Sequence, residues 1–180
     1  MNLPNRKPTR LKTYDYSTEG AYFVTLCTKE QKRILSEIVV GDGVLDVPRN
    51  ILSEYGEIAE KYIQQMCGFY DCIHIEKYVV MPNHIHMIIH ITDSKQAANS
   101  GTSRTPSPTN RGLPQFISTF KRFCNKAVGE NIWQRSYHDR IIRNEQEYRK
   151  IWEYVDTNVI KWDKDCFYTE QKVTDYGKYS

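Results

Sequence analysis

The stretch Tyr78-Val79-Val80-Met81-Pro82-Asn83-His84-Ile85-His86-Met87-Ile88-Ile89 reads as two apolar strands around a turn, with a His-hydrophobe-His triplet opening the second strand. Pro82 and Asn83 suit a tight antiparallel connection, Pro through its fixed φ and Asn through its tolerance of turn geometry. Alternate side chains on a strand share a face, so His84 and His86 point the same way, about 6 to 7 Å apart. That spacing is the geometry of a two-imidazole metal site. It also fits two satisfied histidines on a half-buried strand, and an ion needs further ligands from elsewhere in the chain.

Residues 85, 87, 89 and 91 are Ile, Met, Ile and Ile, while the opposite face carries His84, His86, Ile88 and His90. Such a strand packs one side on a core and offers the other to chemistry. His90 lies about 13 Å from His86 by strand rise, too far to join the pair, and reads as structural or solvent-facing.

Working outward, Gly20 to Thr28 is rich in aromatic and β-branched residues and reads as a strand, and Asn50 to Met66 carries apolar residues at helical intervals. Cys72 to Met81 and His84 to Ile91 complete a β-α-β-β beginning. The segment 92–112 turns to Thr, Ser, Asn, Pro and Gly and predicts a mobile loop. Leu113 to Val128 then reads as a helix, Ser136 to Ile142 as a strand and Glu145 to Trp162 as a long helix. The order predicts an α+β fold, a ferredoxin-like antiparallel sheet with helices packed on it and an added C-terminal helix.

The 180 residues, 39% hydrophobic and 26% charged, suffice for one core and are short for two, so 1–180 reads as one domain. The opening Met1-Asn2-Leu3-Pro4-Asn5-Arg6-Lys7-Pro8 lacks the apolar core of a signal peptide, and no apolar run is long enough to span a bilayer. A cytoplasmic protein without a membrane partner is the expectation. Cys27, Cys67, Cys72, Cys124 and Cys166 are odd in number and form no Cys-x-x-Cys pair, which argues against a disulfide framework or a zinc ribbon.

The net charge of +3 is too small to argue nucleic-acid binding alone, but it is unevenly placed. Arg6, Lys7, Arg10 and Lys12 all precede the first acid, Asp15. Arg111, Lys121, Arg122 and Lys126 form a second cluster, followed by Arg135, Arg140 and Arg143 among Trp133, Tyr137 and His138. Cations for phosphates beside aromatic faces for bases suit single-stranded nucleic acid, and a solvated charged face is the other reading.

On the final helix, Tyr148, Ile151, Trp152, Val155, Val159 and Trp162 form an apolar stripe. Tyr154 falls about 110° from the centre of that stripe, on a flank shared with Glu147, Asn158 and Lys161. Tyr154 and Asn158 are an i, i+4 pair, so a phenol and an amide can reach one spot. On pattern alone, with 13 tyrosines in the chain, an ordinary tyrosine at the edge of the stripe is the favoured reading.

The chain resembles the HUH single-tyrosine transposases, and within them the REP-associated tyrosine transposases, over nearly its whole length. The resemblance rests on Arg10-Leu11-Lys12-Thr13-Tyr14-Asp15-Tyr16 leading into Gly20-Ala21-Tyr22-Phe23-Val24-Thr25, on Val80-Met81-Pro82-Asn83-His84-Ile85-His86, and on the run from Ile132 to Asn144. Trp152-Glu153-Tyr154-Val155-Asp156-Thr157-Asn158 resembles the family's catalytic helix. One departure is Asn158-Val159, where the family often has Asn-Pro.

The resemblance implies metal-dependent cleavage and rejoining of single-stranded DNA next to a hairpin, through a 5′-phosphotyrosine and a free 3′ hydroxyl. It implies Tyr154 as nucleophile and His84, His86 and Asn158 as metal ligands. Imidazole and amide-oxygen ligands with open positions suit Mg²⁺ or Mn²⁺. Arg6, Arg10, Lys12, Lys121, Arg122, Arg135 and Arg143 become candidates for DNA contact, because the family places basic N-terminal and central segments near its hairpin. Monomers and homodimers both occur among such proteins. Two alternatives stay open: a protein that binds hairpin DNA or structured RNA without cutting, and a nuclease in which an ion activates water while Tyr154 positions DNA.

Overall fold

The computed structural model describes residues 15, 17–40, 47–92 and 112–168. Its main sheet has four antiparallel strands: β1 (Gly20–Cys27), β4 (Ile73–Met81), β5 (His84–Ile91) and β6 (His138–Ile142), in the order β4-β5-β1-β6. With helices α1 (Glu54–Cys67) and α2 (Leu113–Val128) as its crossovers, this is the expected ferredoxin-like arrangement. A third helix, α3 (Glu145–Thr157), is the added one. Most of the 92–112 loop, and Arg6, Arg10 and Lys12, lie outside the described residues. No helix among the described residues is long and apolar enough to cross a membrane.

Strand alternation divides the molecule into two layers. Tyr22, Val24 and Leu26 of β1 and Ile85, Met87, Ile89 and Ile91 of β5 are buried on one face with Ala59 and Ile63 of α1 and Phe116, Ile117 and Phe120 of α2. Each such large side chain contributes about 1.5 to 3 kcal/mol on leaving water. On the other face Ile88 and Ile142 pack against Ile151 and Val155 of α3. That leaves the end of this face, where β5 begins, to His84 and His86.

Three boundaries differ from the sequence expectation by more than one residue. The helix predicted from Asn50 begins at Glu54, because Arg49–Leu52 (β3) pairs with Ser36–Val39 (β2) in a separate two-stranded sheet. Ser53 sets the new start by accepting the Gly56 N–H on its side chain, an N-cap bond. The strand expected from Ser136 starts at His138. The last helix ends at Thr157, and a short 3-10 turn at Trp162–Lys164 carries the chain onward. Trp162 is buried and its ring lies 5.9 Å from that of His84, so tertiary packing redirects a segment whose pattern would continue the helix. Trp152, placed in the apolar stripe by the wheel, is 37% exposed and sits under the Lys77 ammonium, 4.4 Å away.

Candidate active and metal site

The β4–β5 turn holds His84 and His86 at the mouth of the hairpin, where Met81 pairs with His84. Both imidazoles are buried, with ring centroids 4.4 Å apart and Nε2 atoms 3.0 Å apart. Each Nδ1 has its own partner: the Asn83 Oδ1 lies 2.9 Å from His84 Nδ1, and the Thr25 hydroxyl lies 2.8 Å from His86 Nδ1. A proton on each Nδ1 leaves both Nε2 lone pairs converging on one point, the arrangement that outer hydrogen bonds impose on metal-binding histidines.

Tyr154, one turn before the end of α3, reaches this point. Its hydroxyl is 3.1 Å from His86 Nε2, its ring packs edge-on to Phe23, and the residue is 36% exposed, open on one side. The expected i, i+4 partner is also present: Asn158, buried, closes the helix. Its amide, however, points its Nδ2 at a group that the sequence reading missed. The Asp165 carboxylate accepts from Asn158 Nδ2 at 2.7 Å and from the Tyr154 hydroxyl at 2.6 Å, both on Oδ2. Its Oδ1 accepts from the Phe167 N–H at 2.7 Å.

His84, His86 and Asp165 each offer one donor atom, and the three lie within 4.8 Å of one another. Asn158 Oδ1 is buried without a hydrogen-bond partner among the described residues, an orphaned acceptor beside them. Two neutral imidazoles, a carboxylate and an unsatisfied amide oxygen make a donor set that fits a divalent cation. The third ligand expected at Asn158 therefore has a rival in Asp165. Six residues, ending in the 3-10 turn, lie between the two, and no periodicity connects them. Thr25 and Asn83 were also missed, although Asn83 sits inside the histidine motif.

Electrostatics agree with a pair of neutral imidazoles. Burial, then the neighbouring His86, lowers the His84 pKa to about 3, against a weaker opposing pull from Asp165. Burial likewise lowers His86. Burial and then the bond to Asp165 raise the Tyr154 pKa, keeping the phenol neutral. Burial works against the Asp165 carboxylate, but the neighbouring His86 imidazole and the hydrogen bonds from Tyr154, the Phe167 backbone and Asn158 together outweigh it and hold its pKa low.

No protein-family model matches the chain. A Haemophilus influenzae protein of uncharacterised function is 28% identical over 181 residues, spanning 93% of this chain and 96% of that protein. A candidate REP-associated tyrosine transposase of the same bacterium is 19% identical over 171 residues, 90% of this chain and 88% of that protein. The solved structure of a REP-associated tyrosine transposase bound to a REP hairpin superimposes with a TM-score of 0.57 at 18% identity, covering 85% of this chain and 73% of that one. This chain has the fold of the REP-associated tyrosine transposases.

On that transposase fold the remaining basic candidates separate. Lys121 of α2 donates to the Gln134 and Ser136 carbonyls, 2.8 Å each, and so ties the backbone that leads into β6. Arg122 and Arg135 are exposed. Arg143 is exposed at the end of β6, where its backbone N–H donates to Glu147. Trp133 and Tyr137, expected to offer faces to bases, are buried in the main core. A strand start packed against α2 leaves them little free surface.

Proposed function

We propose that this protein is a transposase-type DNA-nicking enzyme, which cleaves and rejoins single-stranded DNA next to a hairpin with Tyr154 as the nucleophile. The observation that carries the reading is the Tyr154 hydroxyl at 3.1 Å from His86 Nε2, itself 3.0 Å from His84 Nε2. A phenol on a helix, a His-x-His strand and the transposase fold meet at one point. The hairpin is inferred from the solved relative, which is bound to one.

His84, His86 and Asp165, with Asn158 Oδ1 nearby, would hold Mg²⁺ or Mn²⁺. A bound divalent ion supplies Lewis-acid polarisation of a non-bridging phosphate oxygen. The protein's own part is positional. Thr25 and Asn83 orient the imidazoles, and α3 aims the phenol from the exposed side. The Tyr154 oxygen forms a bond to phosphorus as the bond to the 3′ oxygen breaks, and the phenolic proton is transferred, net, to the leaving 3′ oxygen. The covalent link retains the phosphoester bond for rejoining, so no nucleotide cofactor is needed.

The test is a denaturing gel of wild type and Tyr154→Phe with end-labelled single-stranded hairpin DNA, in Mn²⁺ or chelator. A protein-linked band that requires metal and disappears in Tyr154→Phe is the expected result. Binding without an adduct would favour the non-catalytic hairpin binder. Nicks that survive in the variant would point to a water-using nuclease.

A further inference from the structure

Building on the DNA-cleaving reading, we propose that the cavity beside the β6 edge is a subsite for one unpaired nucleotide of the single strand flanking the cleaved phosphate. The cavity has a volume of about 480 Å³, within the range of small-ligand sites. Its lining includes Pro114, Ile117, Ser118 and Arg122 of α2, and Arg135 and Tyr137 from the segment entering β6. No carboxylate among the described residues lines it. Neither Arg122 nor Arg135 forms an ion pair with an acid among the described residues.

The chemistry divides as a nucleotide does. Two guanidinium groups match a phosphodiester. Pro114 and the edges that the largely buried Ile117 and Tyr137 present to the cavity give an apolar wall for a base, and the Ser118 hydroxyl can reach a sugar or a base edge. A merely solvated basic surface would need neither the concavity nor the apolar wall. The walls are also fixed in advance. Lys121 clamps the backbone on both sides of Arg135 to α2, through its bonds to Gln134 and Ser136. The Asn125 side chain is held by Asn131 and by the Ile132 N–H. A preformed subsite loses less affinity to ordering.

Its position suits the substrate. Tyr137 is followed by His138, whose ring lies 6.1 Å from Phe167, and Phe167 lies 4.8 Å from His84. Thr25 of β1 pairs with His86 on one side and His138 on the other. Two strand spacings, roughly 10 Å, thus separate the histidine motif from the start of β6. A strand with its phosphate at Tyr154 reaches the cavity by rounding the end of that edge strand.

The test uses a fluorescent hairpin DNA with a single-stranded extension, in which each extension nucleotide is replaced in turn by an abasic residue. Affinities are read by anisotropy for wild type, Arg122→Ala, Arg135→Ala and Ser118→Trp, the last filling the cavity without removing charge. One replacement should weaken wild-type binding on the order of ten-fold, the scale of a lost base contact. The same replacement should cost all three variants little. The subsite is overturned if no single position matters, if the penalty persists in the variants, or if wild type does not bind the probe. Loss of the Tyr154 adduct with this binding signature intact would sink the nicking reading alone.

Discussion

The Tyr154 hydroxyl donates to the same Asp165 oxygen that accepts the Asn158 amide, over 2.6 and 2.7 Å. The proton of the proposed nucleophile and the hardest of the candidate metal ligands therefore meet on one atom. On the proposed reading, a cation drawn to that carboxylate would compete with the phenol for it, and Asp165 would couple ion binding to the state of Tyr154.

If Asp165 is the third ligand, Asp165→Asn keeps the shape and removes the charge. Mn²⁺ affinity should fall by ten-fold or more, since even outer-shell changes cost about ten- to a hundred-fold. Electron paramagnetic resonance of free Mn²⁺ reads this directly. A normal affinity in Asp165→Asn, alongside a loss in Asn158→Ala, would assign the ligand to the orphaned amide oxygen of Asn158.

Thr25→Val is nearly isosteric and deletes the hydroxyl 2.8 Å from His86 Nδ1. The imidazole then loses its buried orienting bond, and Mn²⁺ affinity should drop about ten- to a hundred-fold. Hairpin affinity measured in chelator should be unchanged. Equal losses in both measurements would mean that Thr25 only supports the strand.

These two residues show what the chain discloses and what it hides. The His84–His86 pair was legible because strand alternation alone puts both imidazoles on one face, whereas Tyr154 stood out only through the resemblance of its helix to the family's, since the wheel by itself fits an ordinary tyrosine at the edge of the stripe. Asp165 was not, since it arrives through an irregular turn after the helix has ended, where no period links it to Asn158. The β2–β3 pair was hidden because Ile51 and Leu52 fit a helical stripe or a short strand equally well.

Gly56 gives a steric test of the fold. A Cβ there would lie 2.0 Å from the Leu35 carbonyl oxygen, which already accepts from the Ser53 N–H at 2.9 Å. Alanine ordinarily favours a helix by roughly 0.5 to 1 kcal/mol over glycine, but this backbone cannot retreat without breaking the cap. Gly56→Ala should destabilise by about 1 to 3 kcal/mol in denaturant melts. Gly68→Ala is the control, because its nearest neighbour would be 3.8 Å away at an ordinary φ of −93°. Its effect should stay within about 0.5 kcal/mol.

Thiol chemistry reports on the packing of both ends of the site. Burial raises the Cys27 pKa to about 11, with Lys121 opposing and Cys166 and Asp165 adding to the rise. Burial raises Cys124 to about 12. Only the thiolate reacts, so at pH 8 Cys27, with its pKa near 11, carries roughly two-hundred-fold less reactive form than a free thiol near 8.5. Cys166 is exposed, and its pKa rises through partial burial and Asp165. Iodoacetamide should therefore modify native Cys166 well before Cys27 or Cys124, as followed by mass spectrometry, and should reach the buried pair only on unfolding. Since pKa rises slow a thiol at neutral pH and lose their effect as pH climbs through them, raising the pH should speed Cys166 first. Labelling of Cys124 at the rate of Cys166 in the folded protein would contradict the packing of α2 against the sheet.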